Sequence, residues 1–86
     1  MKITRTERFK KAWRRLSEGD KALARKALKN LERDLGYPGL KTKKMEGTKD
    51  IWEARVSRSS RMTFNVEGGE IILRNIGRHD ETLERP

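Results

Sequence analysis

Cysteine is absent from this chain, and histidine occurs once in its 86 residues. Without cysteine there is no disulfide staple and no thiolate metal site. That fits a reducing compartment. A single histidine near Asp80 and Glu81 supplies too few ligands for a metal centre. No cysteine and no convincing serine nucleophile pairs with it. No glycine-rich phosphate loop runs into Lys-Ser or Lys-Thr, so loop-type nucleotide hydrolysis is excluded. Long hydrophobic runs are missing as well, with a mean hydropathy of −1.01. Nothing approaches a membrane-spanning stretch, and Met1-Lys2-Ile3-Thr4-Arg5 lacks the apolar core of a signal peptide. The expectation is a cytoplasmic protein of one domain, residues 1–86, without cofactor or membrane partner.

What the chain has is charge. Charged residues make up 41% of it and apolar residues 33%, a balance that disorder would tolerate. The apolar residues are patterned, however, and both tryptophans fall on patterned positions, which argues for a small folded domain. The net charge is +9 and it is lopsided. Residues 1–44 hold 15 basic and 5 acidic side chains, a balance of +10, and residues 45–86 hold 7 and 8, a balance of −1. Such a field draws in a polyanion and weakens with salt. Nucleic acid, an acidic protein partner and simple solubility all remain compatible with it.

Periodicity divides the chain in two. Lys2-Ile3-Thr4 reads as a short strand. Thr6 is placed to cap a helix, and Phe9, Ala12, Trp13 and Leu16 follow the spacing of one helical face. Gly19-Asp20 reads as a break. A second helix is expected from about Lys21 to Leu35, with Leu23, Ala27, Leu28, Leu31 and Leu35 as its apolar stripe and Gly36 and Pro38 as stops. Leu40 to Asp50 reads as a lysine-rich loop. The period then changes from 3.6 to 2. Trp52, Ala54 and Val56 share one face of a strand, as do Met62, Phe64 and Val66 of the next. Gly68-Gly69 marks a hairpin turn. A third run, Ile71 to Gly77, is apolar at Ile71, Ile72, Leu73 and Ile76, and leaves its buried face ambiguous. The fold class is therefore α+β, with an N-terminal helical hairpin packed on one face of a small antiparallel sheet.

The alternation also puts Arg55 and Arg61 together on the face away from the helices. Two guanidinium groups side by side repel unless an anion joins them. Glu53 or Glu70 could be that anion, and so could a phosphate, whose oxygens match arginine's planar fork. Lys43, Lys44 and Lys49 could approach from the loop before the first of these strands. His79 follows the third run directly after Gly77-Arg78, and histidine is the side chain best able to move a proton near neutral pH. A metal-free cleavage of RNA needs no more than this, because the neighbouring 2′-hydroxyl can attack the phosphodiester.

Taken together, Phe9-Lys10-Lys11-Ala12-Trp13, Tyr37-Pro38-Gly39-Leu40, Trp52-Glu53-Ala54-Arg55-Val56-Ser57, Arg61-Met62-Thr63-Phe64-Asn65-Val66 and Ile76-Gly77-Arg78-His79-Asp80 resemble, in order and spacing, the RelE/ParE toxin superfamily of bacterial toxin–antitoxin systems. The resemblance spans essentially the whole chain. It implies the element order β-α-α-β-β-β and an endoribonuclease that cuts mRNA in the ribosomal decoding site, leaving a cyclic phosphate. By position it makes Arg61 the scissile-phosphate arginine, Arg55 a basic residue on the preceding strand, and His79 the acid/base histidine of several ribosome-dependent branches. Arg78, Lys43, Lys44 and Lys49 would contact RNA, and an acidic antitoxin would be the protein partner. Glu53 stands where some branches place a lysine base, and could act as a base or an ion-pair partner. Leu83 and Arg85 stand where an aromatic residue is common. These departures keep a second implication alive, a ParE-like gyrase inhibitor or a degenerate RelE-like protein that binds without cutting.

Overall fold

Five strands, three α-helices and one 3₁₀ turn (Pro38–Leu40) make up the fold of residues 1–86 in a computed structural model of the chain. Strand β1 (Lys2–Arg5) leads into helices α1 (Glu7–Arg14) and α2 (Glu18–Arg33). Strands β2 (Lys43–Lys44), β3 (Trp52–Arg55), β4 (Ser60–Glu67) and β5 (Glu70–Arg78) follow, then a short helix α3 (His79–Glu84). The sheet order is β1-β5-β4-β3-β2. The β2 to β5 pairings are antiparallel, and β1 joins parallel to β5 with Lys2 opposite Glu70 and Arg5 opposite Leu73. This is the α+β fold read from the sequence, with one parallel edge strand and one two-residue strand added to the meander.

Local chemistry explains the helix ends. Thr6 Oγ1 accepts the Phe9 N–H at 3.1 Å, the cap expected of it, and also donates to the Leu73 carbonyl at 2.8 Å. One hydroxyl thus ends β1, starts α1 and ties both to β5. The second helix begins earlier than its glycine suggested. Ser17 Oγ accepts the Asp20 N–H at 3.1 Å, so Gly19-Asp20 lies inside the first turn of α2 rather than breaking the chain. Glu18 and Asp20 then sit at the positive end of the helix dipole. At the other end the helix stops at Arg33, and Asp34 turns the chain by accepting the Gly36 N–H at 2.9 Å.

The core lies between the α1/α2 layer and one sheet face. Phe9, Ala24, Leu28 and Leu31 meet Ala54, Met62, Phe64, Ile71, Leu73 and Ile76 there. Leu23, expected in the stripe, is 46% exposed, because the buried row of α2 is Ala24, Ala27, Leu28 and Leu31. Phe64 is fully buried, while Trp13 and Trp52 are half-buried and pack against the cluster's rim.

The ambiguous third run is resolved by a bulge. Phe64 is opposite Leu73 and Met62 is opposite Ile76, so β5 spends one residue more than β4 over that interval. The extra residue resets the alternation. Ile71, Leu73 and Ile76 all turn inward, although strict period 2 would have sent Ile76 outward.

Candidate functional site

The face away from α1 and α2 carries Arg55, Arg61, Glu53 and Lys43 of the residues singled out from the sequence. Two rows cross it. Arg55, Arg61 and Gly77 form one, with Arg55 directly opposite Arg61. Lys43, Glu53, Thr63 and Asn75 form the next. Arg55 and Arg61 are half-buried rather than fully open, and α3 lies across the adjoining strands β4 and β5. Thr63 and Thr82 are 0% and 2% exposed beneath and within that cover. A Cβ at Gly77 would stand 3.0 Å from Thr82 Oγ1, so glycine is what lets α3 approach the strand.

Neither arginine has a carboxylate partner. Glu70 instead pairs with Lys2 at 3.8 Å and accepts from Thr4, and Glu53 is in no ion pair. Arg61 is held by neutral acceptors. Its Nη1 donates to the Ser57 and Ser60 carbonyls, each at 2.9 Å. This fixes the guanidinium without cancelling its charge and leaves Nε and Nη2 for another acceptor. The Arg55 side chain makes no hydrogen bond.

The turn that anchors Arg61 also anchors the histidine. The Ser57–Ser60 connection is closed by Val56 N–H to Ser60 O at 3.0 Å and by Ser60 N–H to Ser57 Oγ at 3.1 Å. The Ser59 carbonyl of the same turn accepts the His79 N–H at 2.7 Å. His79 opens α3, with Arg78 as its exposed N-cap residue. Its ring is half-exposed, with Nδ1 3.1 Å from Asp80 Oδ1, and no hydrogen bond joins it to either arginine.

The lysines separate. Lys43 is exposed in the Glu53 row. Lys44, one residue on, belongs to the opposite face, over the Trp52 ring at 5.7 Å and 3.7 Å from Asp50. Lys49 is exposed in the β2–β3 hairpin loop.

Three residues that the alternation did not single out share the face. Thr63 Oγ1 donates to the Pro86 carbonyl at 2.8 Å, Arg74 Nε to the same carbonyl at 3.2 Å, and Asn75 Nδ2 to the Arg85 carbonyl at 3.0 Å. Arg74 also donates to Asn65 Oδ1 at 2.8 Å. The bulge is what turns both Arg74 and Asn75 to this side, and no single-sequence period signals it.

No family model matches the chain, and no curated protein matches it in sequence. Solved structures do match. Against YafQ from Escherichia coli BL21(DE3) the TM-score is 0.78 at 14% identity, covering 92% of this chain and 93% of that one. Against a YoeB/ParE toxin from Agrobacterium tumefaciens it is 0.75 at 18%, covering 92% and 99%. Against a chain of the intact E. coli RelBE toxin–antitoxin complex it is 0.71 at 19%, covering 90% and 94%. The chain has the fold of RelE/ParE-type toxins, as the resemblance in its sequence implied.

Proposed function

We propose that the protein is the toxin of a type II toxin–antitoxin pair and a ribosome-dependent, metal-independent mRNA endonuclease. One observation carries the reading. The Arg61 guanidinium and the His79 backbone are fixed to the same Ser57–Ser60 turn, beside an Arg55 that has no counter-ion. A phosphodiester is the ligand this arrangement lacks. Arg61 and Arg55 bind its oxygens and offset the charge that develops as the 2′-hydroxyl attacks. The charge is local and preorganised, because the Ser57 and Ser60 carbonyls hold Arg61 in place before substrate arrives.

His79 passes a proton to the departing 5′-oxygen. Glu53, half-buried one row from the arginines, takes the proton of the attacking hydroxyl. Lys43, Lys49 and Arg78 follow the RNA backbone. Lys44 is set toward the other side with Trp52 and Asp50, and contributes to the general field. An acidic antitoxin covers the basic surface.

The test is cleavage of mRNA on programmed ribosomes, with Arg61→Ala and His79→Ala checked for folding by circular dichroism. Each is expected to lose about 10²-fold or more in rate. Variants that cut as fast as the parent would remove these residues from the mechanism.

The second reading, a gyrase-directed toxin or a binding protein that does not cut, draws on the His79 ring, which meets Asp80 and neither arginine. Accumulation of cleaved DNA by purified gyrase, with intact mRNA on ribosomes, would establish it.

A further inference from the structure

Strand β5 is longer than the strand beside it. Strand β1 ends at Arg5, opposite Leu73, and the chain then leaves the sheet to form α1. From Arg74 to Arg78, β5 has β4 on one side and no strand on the other. The Ile76 N–H on this stretch is answered by the Asn75 side-chain oxygen at 2.9 Å rather than by a strand. An unpaired length of edge is a template for another extended chain.

Asn75 to Arg78 of this half-edge form the floor of a cleft of about 850 Å³. Its walls stand on opposite faces of the sheet. On the helix-covered face, α1 and its C-cap residue line it with Arg8, Lys11 and Arg15, and the first turn of α2 adds Asp20. On the other face, α3 and its C-cap residue line it with Glu81, Glu84 and Arg85. Lys11, Arg15, Glu81 and Glu84 are exposed, and none is in an ion pair. The helix-side wall carries a cationic excess and the α3 wall an anionic one, and no ion pair joins them. Arg8 closes one end through its hydrogen bond to the Arg85 carbonyl.

A strand added at such an edge sends successive side chains to opposite faces. One set would meet the cationic wall and the other the anionic wall. We propose that the Arg74–Arg78 edge of β5 binds an extended segment of a partner protein as a sixth strand, with alternating acidic and basic side chains, acids toward α1 and bases toward α3. The occupant is peptide rather than nucleic acid, because Glu81 and Glu84 would repel a phosphate chain on one side of the groove. This site is separate from the Arg55/Arg61 row, and the proposal holds whether or not the protein cuts RNA.

The probe is an end-blocked peptide of alternating glutamate and lysine, about eight residues or roughly 26 Å extended, titrated into the isotope-labelled full chain. Amide shifts are expected at Arg74–Arg78, with protection from exchange along that stretch. A peptide of the same composition with its glutamates and lysines in two blocks is expected to bind about tenfold more weakly. Methylating alternate backbone nitrogens, on whichever edge faces β5, removes the binding.

The variant Lys11→Glu/Arg15→Glu reverses one wall and is expected to lose about tenfold in affinity. Adding Glu81→Lys/Glu84→Lys exchanges both walls and restores binding, because the peptide regains complementarity by slipping one residue. All four side chains are on the surface, so folding survives the changes. Equal binding of the blocked or methylated peptide overturns the proposal. So do an unrestored fourfold variant, an absence of shifts with the alternating peptide, and shifts at these amides produced instead by a short RNA oligomer.

Discussion

Arg55→Met is expected to stabilise the fold while weakening its hold on anions. Arg55 lies directly opposite Arg61, is half-buried, and has neither hydrogen bond nor counter-ion. Like charges opposite each other on a sheet cost roughly 0.2–1 kcal/mol. Methionine keeps the apolar stem and discards the charge. For a domain of this size each kcal/mol moves the melting temperature by about 4–8 °C, so the variant should melt roughly 1–8 °C higher. The gain should shrink as salt rises and screens the repulsion.

Phosphate supplies the converse. Inorganic phosphate should raise the melting temperature of the parent by the linkage of a ligand that binds only the folded state, and raise that of Arg55→Met by much less. Arg61→Met is the control. It removes the same charge along with two hydrogen bonds to the Ser57 and Ser60 carbonyls, worth about 1–3 kcal/mol together, so it should melt lower than the parent. Thermal unfolding by circular dichroism, in low and high sodium chloride and across a phosphate titration, reads all of this. An Arg55→Met protein that melts lower at low salt, or that gains as much from phosphate as the parent, would refute the claim that these arginines face an absent anion.

Gly77→Ala should cost about 1–3 kcal/mol in urea unfolding, because its Cβ meets the buried Thr82 Oγ1 at 3.0 Å; Thr82→Ala in the same chain should recover part of the loss, and a strictly additive pair would exclude the clash. Phe64→Ala, at a fully buried position, should cost about 3–5 kcal/mol and leave little folded protein at room temperature. Thr63→Val removes one hydrogen bond to the Pro86 carbonyl and should cost about 1 kcal/mol, with faster amide exchange at Arg85 as its local signature. Affinity for single-stranded RNA should fall steeply from 50 to 200 mM salt, by about tenfold or more if several phosphates are neutralised, and a flat salt response would contradict docking through the basic surface.

The parts legible in the sequence were those governed by one interaction at a time. Alternation around Trp52 and Phe64 gave the sheet faces, and Thr6 gave the start of α1. The parts that were not legible arose from competition or tertiary context. Gly19 looks like a helix break until the Ser17 cap two residues earlier outweighs it. Leu23 fits the apolar stripe by spacing, but the buried row of α2 runs through Ala24 in its place, and which of two neighbouring apolar residues turns inward is set by tertiary packing. The bulge after Leu73 is a property of two strands, so no window over one strand could place Arg74, Asn75 and Ile76. α3 is short and polar, and only its contact with β4 and β5 makes it a helix. Of the candidate site, the cross-strand pairing of Arg55 and Arg61 followed from period 2. The turn that ties Arg61 to His79 did not, since its bonds run through backbone carbonyls.

The parallel pairing of β1 with β5 sets the order in which this chain can become a folded object. Lys2 waits for Glu70, and the apolar rows of α1 and α2 wait for Phe64, Ile71 and Leu73. During synthesis the helical hairpin emerges first, with its greasy side open and nothing to rest on for most of the chain's length. Contacts this distant in sequence slow folding and expose the intermediate to association. The molecule therefore assembles all at once or not at all. A chain truncated before residue 70 should be a basic, sticky fragment, and no part of the sheet-borne surface exists until β5 arrives.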